Sequence, residues 1–415
     1  MLPPSYSPPA ISVQCSVSVA TLSPPSLSPV AVYSLLYTFC LTCRIYPDQR
    51  NSATNLDYGC EIPLDNGFEG TRRDRLYHLG VDVSIWVQQL QQVFVKGHAQ
   101  AGENPELRHF YYRLAMLAER PLHVVFVADG PARPAVKRKK QVKTNPHWLL
   151  EGMQSLAEAF GYSWLQAAGE AEAELAQMNK LGIIDAVLTE DSDALLFGAR
   201  VVIRKSVPPS MVCPINGLTV ASSPSFKRTD PDIVTICRAD DVLNVAGLAP
   251  ADLLLLALLL GSDYDPAGLS GCGPVVAYGL AKYGLGRSLH DALCSMSEDK
   301  LSAFLPAWRA QLRDSLRVDP QGHIGRRHAA LAASVPATFP DVAVARLFLD
   351  PPLLCADQYA LLGDARPVDL PRLGQLCERH FQWGSCAELL KTFRKTLWVG
   401  EAVHMLIRDG LQAKM

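Results

Sequence analysis

The first 43 residues of this chain contain no charged side chain, which excludes an acidic or basic binding arm there. They are rich in proline and serine instead. The apolar stretch 30–43 has no basic region before it, and its about fourteen residues are short for a membrane span. The chain also lacks a disulfide framework. Its 11 cysteines are scattered, and only Cys40 and Cys43 have CxxC spacing. With no second pair, a four-cysteine zinc site is excluded, and reduced thiols in the nucleus or cytosol are expected. Net charge is only −2, so any binding of nucleic acid must come from local basic patches. No internal repeat is evident, which excludes a solenoid. At 415 residues and 48% hydrophobic content, the chain can bury a sizeable core plus a smaller module.

Acids are present in a telling pattern. Glu170 and Glu172 stand two apart, and Asp191 and Asp193 stand two apart about twenty residues later. Between them lie a short helical pattern and an apolar strand beginning at Asp185. Three other apolar segments end on an acid: Leu79-Gly-Val-Asp82, His123-Val-Val-Phe-Val-Ala-Asp129, and the leucine-rich helix 253–260 before Asp263. In a parallel sheet, strand-ending acids converge outside the carboxyl edge. Crowded carboxylates beside buried structure demand a cation. A donor set of oxygens alone suits magnesium or manganese rather than zinc. Each acid also has a plainer reading, as a helix cap or turn residue. Glu170 and Glu172 favour a helix start through its dipole, and Glu174 in the same run is expected to do no more than that.

Two further features bear on charge. Arg133, Lys137, Arg138, Lys139, Lys140 and Lys143 place six basic residues within eleven positions. They suit phosphate binding, although a solvated loop or an import signal has the same composition. Gly268, Gly271 and Gly273 have the spacing of a hairpin whose backbone amides approach a phosphate.

These motifs together resemble the flap-endonuclease superfamily of structure-specific nucleases. GEAEAE…DAVLTEDSDALLFGA is similar to its internal nuclease motif, and FVADGPARPAVKRKK to the end of its N-terminal nuclease region. LLLLALLLGSDYDPAGLSGCGPVVAYGL resembles its last metal acid running into a helix–two-turns–helix element. The segments GVDVSIWVQQ and LPRLGQLCERHFQWGSC…LLKTFRKTLWVGEAVHML are similar to the Holliday-junction resolvase branch in its fungal form.

The resemblance implies an α/β fold: a PIN-like nuclease domain with a twisted, mainly parallel sheet, a helix–two-turns–helix DNA-binding subdomain and a small helical C-terminal extension. The implied divisions are an atypical or disordered 1–75, a nuclease core 76–260, the DNA-binding subdomain and connector 261–335, and the extension 339–415. Asp129, Glu170 and Glu172 would serve a first metal; Asp191, Asp193 and Asp263 would serve a second; and Asp82 would be shared. Lys137 would contact the scissile phosphate with Arg138 beside it. Arg133, Lys139, Lys140 and Lys143 would bind DNA phosphates, as would Gly271 and Gly273, whose hairpin would also hold potassium. The cofactors implied are two Mg2+ ions, replaceable by Mn2+. The partner implied is branched DNA (four-way junctions and 5′ flaps), bound by a monomer that pairs on a junction, in the nucleus and without a membrane.

The chain departs from that pattern in three ways. The Met-Gly-Ile start expected about thirty residues before Asp82 is absent, and the chromodomain-like module and tail of the resolvases are not seen. Only 41 positions separate Asp129 from Glu170, too few for a long arch. A short arch leaves the site open to continuous duplex arms. The rival readings are a flap or repair nuclease of the same superfamily and a branched-DNA-binding scaffold inactive for want of the usual N-terminus.

Overall fold

A computed structural model describes residues 72, 74, 76–93, 103–134, 136, 137, 140, 141, 147–205, 234–362 and 364–412. The expectations for 1–71, among them the stretch 30–43, lie outside the described residues, as do Arg138, Lys139 and Lys143.

Apolar alternation builds the central sheet. Strands β1 (Tyr77–Asp82), β2 (Leu122–Ala128), β5 (Ser163–Gln166), β6 (Ala186–Leu188), β7 (Val201–Lys205) and β8 (Val234–Arg238) run in the order β5-β2-β1-β6-β7-β8. All neighbours are parallel except β7 and β8. In β2, Val125 and Val127 enter one core, whereas Val124, Phe126 and Ala128 enter the other. Period-two side-chain direction feeds both faces, so every residue of β2 is buried. Between β2 and β5, β3 (Val136–Lys137) and β4 (Lys140–Gln141) form a small antiparallel hairpin.

Helices cover both faces. One core gathers α1 (Val83–Val93), α2 (Pro105–Ala118) and α3 (Leu149–Ala159), with Trp86, Phe110 and Phe126 meeting edge-on. The other gathers α4 (Ala171–Lys180), α5 (Asp193–Leu196) and α6 (Pro250–Leu260). Helix α6 is apolar nearly all round and accordingly buried, and the Asp252 carboxylate accepts from the Ala249 amide at its start. Then follow α7 (Pro274–Lys282), α8 (Leu285–Ser295) and α9 (Glu298–Val318), whose Trp308 is buried. Toward the end of the span 261–335, expected to hold a connector, lies a helix, α10 (Ala329–Ser334), because Leu331 and Ala332 find the core.

The segment after Phe339 is divided between the two cores. Helix α11 (Val342–Leu349) and Tyr359 join the α4–α6 face. Helices α12 (Leu370–Phe381) and α13 (Cys386–Thr396) pack Leu373, Leu376, Phe381 and Phe393 against the opposite face. Helix α14 (Trp398–Gln412) follows. No single helix among the described residues is long and apolar enough to cross a membrane.

Candidate active site at the switch point of the sheet

Because β1, β2, β5 and β6 are parallel, their carboxyl ends lie along one edge. Connections leave β1 toward β2 and β5 on one side and return to β6 on the other. The crevice at such a switch point is where an open α/β sheet can receive a ligand without crossing a connection. Asp82 ends β1, Asp129 follows β2, Glu170 and Glu172 begin α4 after β5, and Asp191 and Asp193 follow β6. Asp263 arrives from the other direction, three residues past the end of α6.

Lys137 stands at the centre. Its Nζ lies 3.1 Å from Glu170 Oε1, 3.3 Å from Glu172 Oε2 and 3.1 Å from Asp263 Oδ2. The β3–β4 hairpin, rather than an arch helix, carries it there. Burial opposes the charge on Lys137, but the Glu172, Glu170 and Asp263 carboxylates outweigh it and hold the ammonium above its usual value.

The remaining acids are tied by short local bonds. Ser84 donates its backbone N–H to Asp82 Oδ1 at 2.7 Å and its hydroxyl to Asp129 Oδ2 at 2.9 Å. Asp129 Oδ1 accepts the Ala171 N–H at 3.0 Å, and Arg133 donates to Oδ2 at 3.0 Å. Asp191 Oδ1 accepts the Asp193 N–H at 3.0 Å and so opens α5. The cap reading and the ligand reading are thus compatible. Asp82 and Asp191 each spend Oδ1 on a helix start, while neither Oδ2 takes a hydrogen bond among the described residues.

Crowding shows in the titration. Burial, then the Asp129 charge, pushes Asp82 up to about 7. Burial, then Asp191, pushes Asp193 up to about 7. Glu172 is held well above the carboxylate range by burial, despite Lys137. Among the described residues, the cations drawn onto these seven carboxyl groups are Lys137 and Arg133. Among the described residues no three Asp, Glu, His or Cys side chains close on one point in a ready ligand set. The ammonium occupies the place between them, bonded by three carboxylates as a metal would be. An all-oxygen cluster that already gathers cations fits a hard divalent ion.

Three participants escaped the motif reading. Ser84 links two strand-end acids, and an Asp-x-Ser turn is its only trace in the chain. Tyr264 donates a hydrogen bond to Glu170 Oε2, and its ring lies 4.7 Å from that of Phe348 on α11. Glu174 does more than favour a helix start. Completely buried, it accepts from the Ala168 and Leu354 amides, each at 3.2 Å, and from the Tyr359 hydroxyl.

Of the expected DNA contacts, Arg133 is drawn onto Asp129, and Lys140 pairs with Lys137 across the β3–β4 hairpin. Gly271 adopts a φ of 84°, which only glycine takes without strain, and Gly273 precedes α7.

The chain has counterparts among known proteins. A family model described as XPG I-region matches residues 161–263, the stretch that holds Glu170, Glu172, Asp191, Asp193 and Asp263. Flap endonuclease GEN homolog 1 of Mus musculus is 30% identical over 239 residues, covering 53% of this chain and 24% of the relative. Flap endonuclease 1 of Methanopyrus kandleri is 34% identical over 239 residues, covering 50% of this chain and 65% of the relative. The solved structure of the eukaryotic junction-resolving enzyme GEN-1 with sodium matches at a TM-score of 0.66 and 29% identity, covering 84% of this chain and 75% of that one. These matches support the flap-endonuclease superfamily as the group this chain is similar to. Its α/β architecture is that of the superfamily's nuclease cores. It spans about a quarter of the length of the mouse relative it matches.

Proposed function

We propose that this chain is a divalent-metal-dependent, structure-specific DNA endonuclease that cuts four-way junctions and 5′ flaps. The observation that carries the reading is the Lys137 ammonium bonded by Glu170, Glu172 and Asp263 at the switch point of the sheet. Asp129, Glu170 and Glu172 would hold a first ion, Asp191, Asp193 and Asp263 a second, with Asp82 serving the same cluster. Magnesium, or manganese in its place, would supply water activation and charge neutralisation at the leaving oxygen.

The reaction is hydrolysis of a phosphodiester bond. Water adds to phosphorus, the P–O3′ bond breaks, and the 3′ oxygen leaves with a proton, giving a 5′-phosphate and a 3′-hydroxyl. Lys137 turns from the carboxylates toward a non-bridging phosphate oxygen as charge accumulates there. Ser84 and Tyr264 keep Asp82, Asp129 and Glu170 in place during that exchange. Arg138 assists Lys137, and Arg133, Lys139, Lys140 and Lys143 contact neighbouring phosphates. Backbone groups around Gly271 and Gly273 grip the uncut duplex, with potassium at the hairpin.

Likeness to solved junction-resolving structures, one of them GEN1 in complex with product DNA and Mg2+, supports the junction substrate. On a junction two copies pair to make two nicks; otherwise the protein is monomeric and nuclear. Flap cutting alone is the second reading, favoured by the 34% identity to the archaeal flap endonuclease. Single-turnover cleavage of an intact four-way junction against a 5′ flap tests both. Flap cutting without junction nicking rejects the resolvase reading, and inertness on both substrates with Mg2+ rejects the enzyme.

A further inference from the structure

Between α9 and α10 the chain makes a ten-residue loop, 319–328, that is built rather than slack. Asp319 anchors it. Its carboxylate accepts the Tyr283 hydroxyl at 2.6 Å and the Ile324 amide at 3.1 Å. The Tyr283 hydroxyl in turn accepts the Gln321 amide at 3.1 Å, and the His328 amide closes the loop onto Leu316 O at 2.7 Å. Ile324 is buried beneath it.

The loop and the start of α10 approach the glycine hairpin and its following helix at two points. Near its middle it lies on α7: a Cβ at Gly279 would come within 2.6 Å of His323 O, so only glycine admits this approach. Just beyond it, Leu331 of α10 lies 3.6 Å from the position a Cβ on Gly271 would take. Arg326 and Arg327 sit between these two points of approach. Both are exposed, and neither forms an ion pair among the described residues. Lys282, at the end of α7 and lying over the Tyr278 ring, adds a third exposed cation to the same structural unit.

A loop that commits a hydrogen-bonded anchor, a close helix approach and two left-handed glycines, Gly322 and Gly325, to present two arginines with no ion pair among the described residues is suited to a fixed array of anions. We infer that Arg326 and Arg327 form a second phosphate-binding point on the duplex arm gripped by the glycine hairpin, extending the footprint away from the carboxylate cluster. The inference rests on the DNA-binding reading above. Regularly spaced backbone phosphates are the partner whose charge and rigidity match, and an acidic protein segment is the competing occupant.

The test is the salt dependence of binding, in Ca2+ to prevent cutting, by fluorescence anisotropy with the full chain. Removing one arginine–phosphate pair should reduce the slope of log K against log salt by about 0.9, so Arg326→Ala/Arg327→Ala should lower it by about 1.8 and bind roughly tenfold more weakly. Arg372→Ala, which removes a charge paired with Glu158 on the opposite face, should leave the slope unchanged. Shortening the duplex arm from about two helical turns to about half a turn should erase the difference between wild type and the double variant. An unchanged slope in the double variant, with wild type binding normally, overturns the inference and leaves the nuclease reading intact. An equal weakening on short and long arms overturns the assignment to the arm. Wild type that binds no branched or duplex DNA overturns both.

Discussion

Glu174 accepts a hydrogen bond from the Tyr359 hydroxyl across 185 positions of chain, with no solvent reaching the carboxylate. The same carboxylate holds the Ala168 amide, two residues before Glu170, and the Leu354 amide. Gly169 meanwhile lies against Pro352. The segment after Phe339 is therefore fastened to the loop that delivers two of the candidate metal acids.

Replacing Glu174 with alanine leaves the half-buried Ala168 and Leu354 amides without this acceptor, which costs at most about 1–3 kcal/mol for each group left unpaired. Urea denaturation should show this loss, whereas Tyr359→Phe should cost only about 1 kcal/mol. Both should slow cleavage more than Glu158→Gln, whose carboxylate pairs with Arg372 at the surface.

Lys137 balances carboxylates that otherwise repel. Lys137→Met should lower the melting temperature of the metal-free protein, because removing one member of a buried ionic cluster leaves uncompensated charge worth about 3–5 kcal/mol. Added Mg2+ should raise the melting temperature of the variant more than that of wild type. Equal increments would contradict a shared place for the ammonium and the metal.

The raised carboxyl groups set a pH dependence. Asp82 and Asp193 titrate near 7 when folded but from 3.8 when unfolded. Between those values the unfolded chain has given up protons that the native state keeps, so stability falls as pH rises. The contribution is fully present below pH 3.8 and gone above about 7. Denaturant midpoints with EDTA should therefore decline across that window relative to Asp82→Asn, and saturating Mg2+ should flatten the decline by keeping both groups ionised.

Asp191→Asn keeps an oxygen to accept the Asp193 amide and so preserves the start of α5. Folding should be nearly unchanged by circular dichroism, while Mg2+-dependent nicking should fall by more than about a hundredfold. Equal activity of the two proteins would remove Asp191 from the site.

Much of this was legible in the chain. A buried strand ending on an acid carries its own signal, because parallel strands read as apolar runs and the residue after the run meets solvent. Asp82 and Asp129 announced themselves that way, and the paired spacing disclosed Glu170, Glu172, Asp191 and Asp193. Ser84 and Tyr264 left no comparable trace, since a hydroxyl beside an acid is common and its partner lies far away in sequence. Glu174 was read from its helix position alone. Its actual role depends on Tyr359 and Leu354, which no local pattern connects to it.

The sequence by itself determined which apolar segments end on acids and the oxygen-only chemistry of the cluster, because periodicity and residue type are local properties. Only the tertiary structure decided that Lys137 stands among Glu170, Glu172 and Asp263, and that Arg133 is drawn onto Asp129. Those pairings arise where a hairpin, a parallel sheet and the end of α6 meet, and through-space charge balance decides which groups join there.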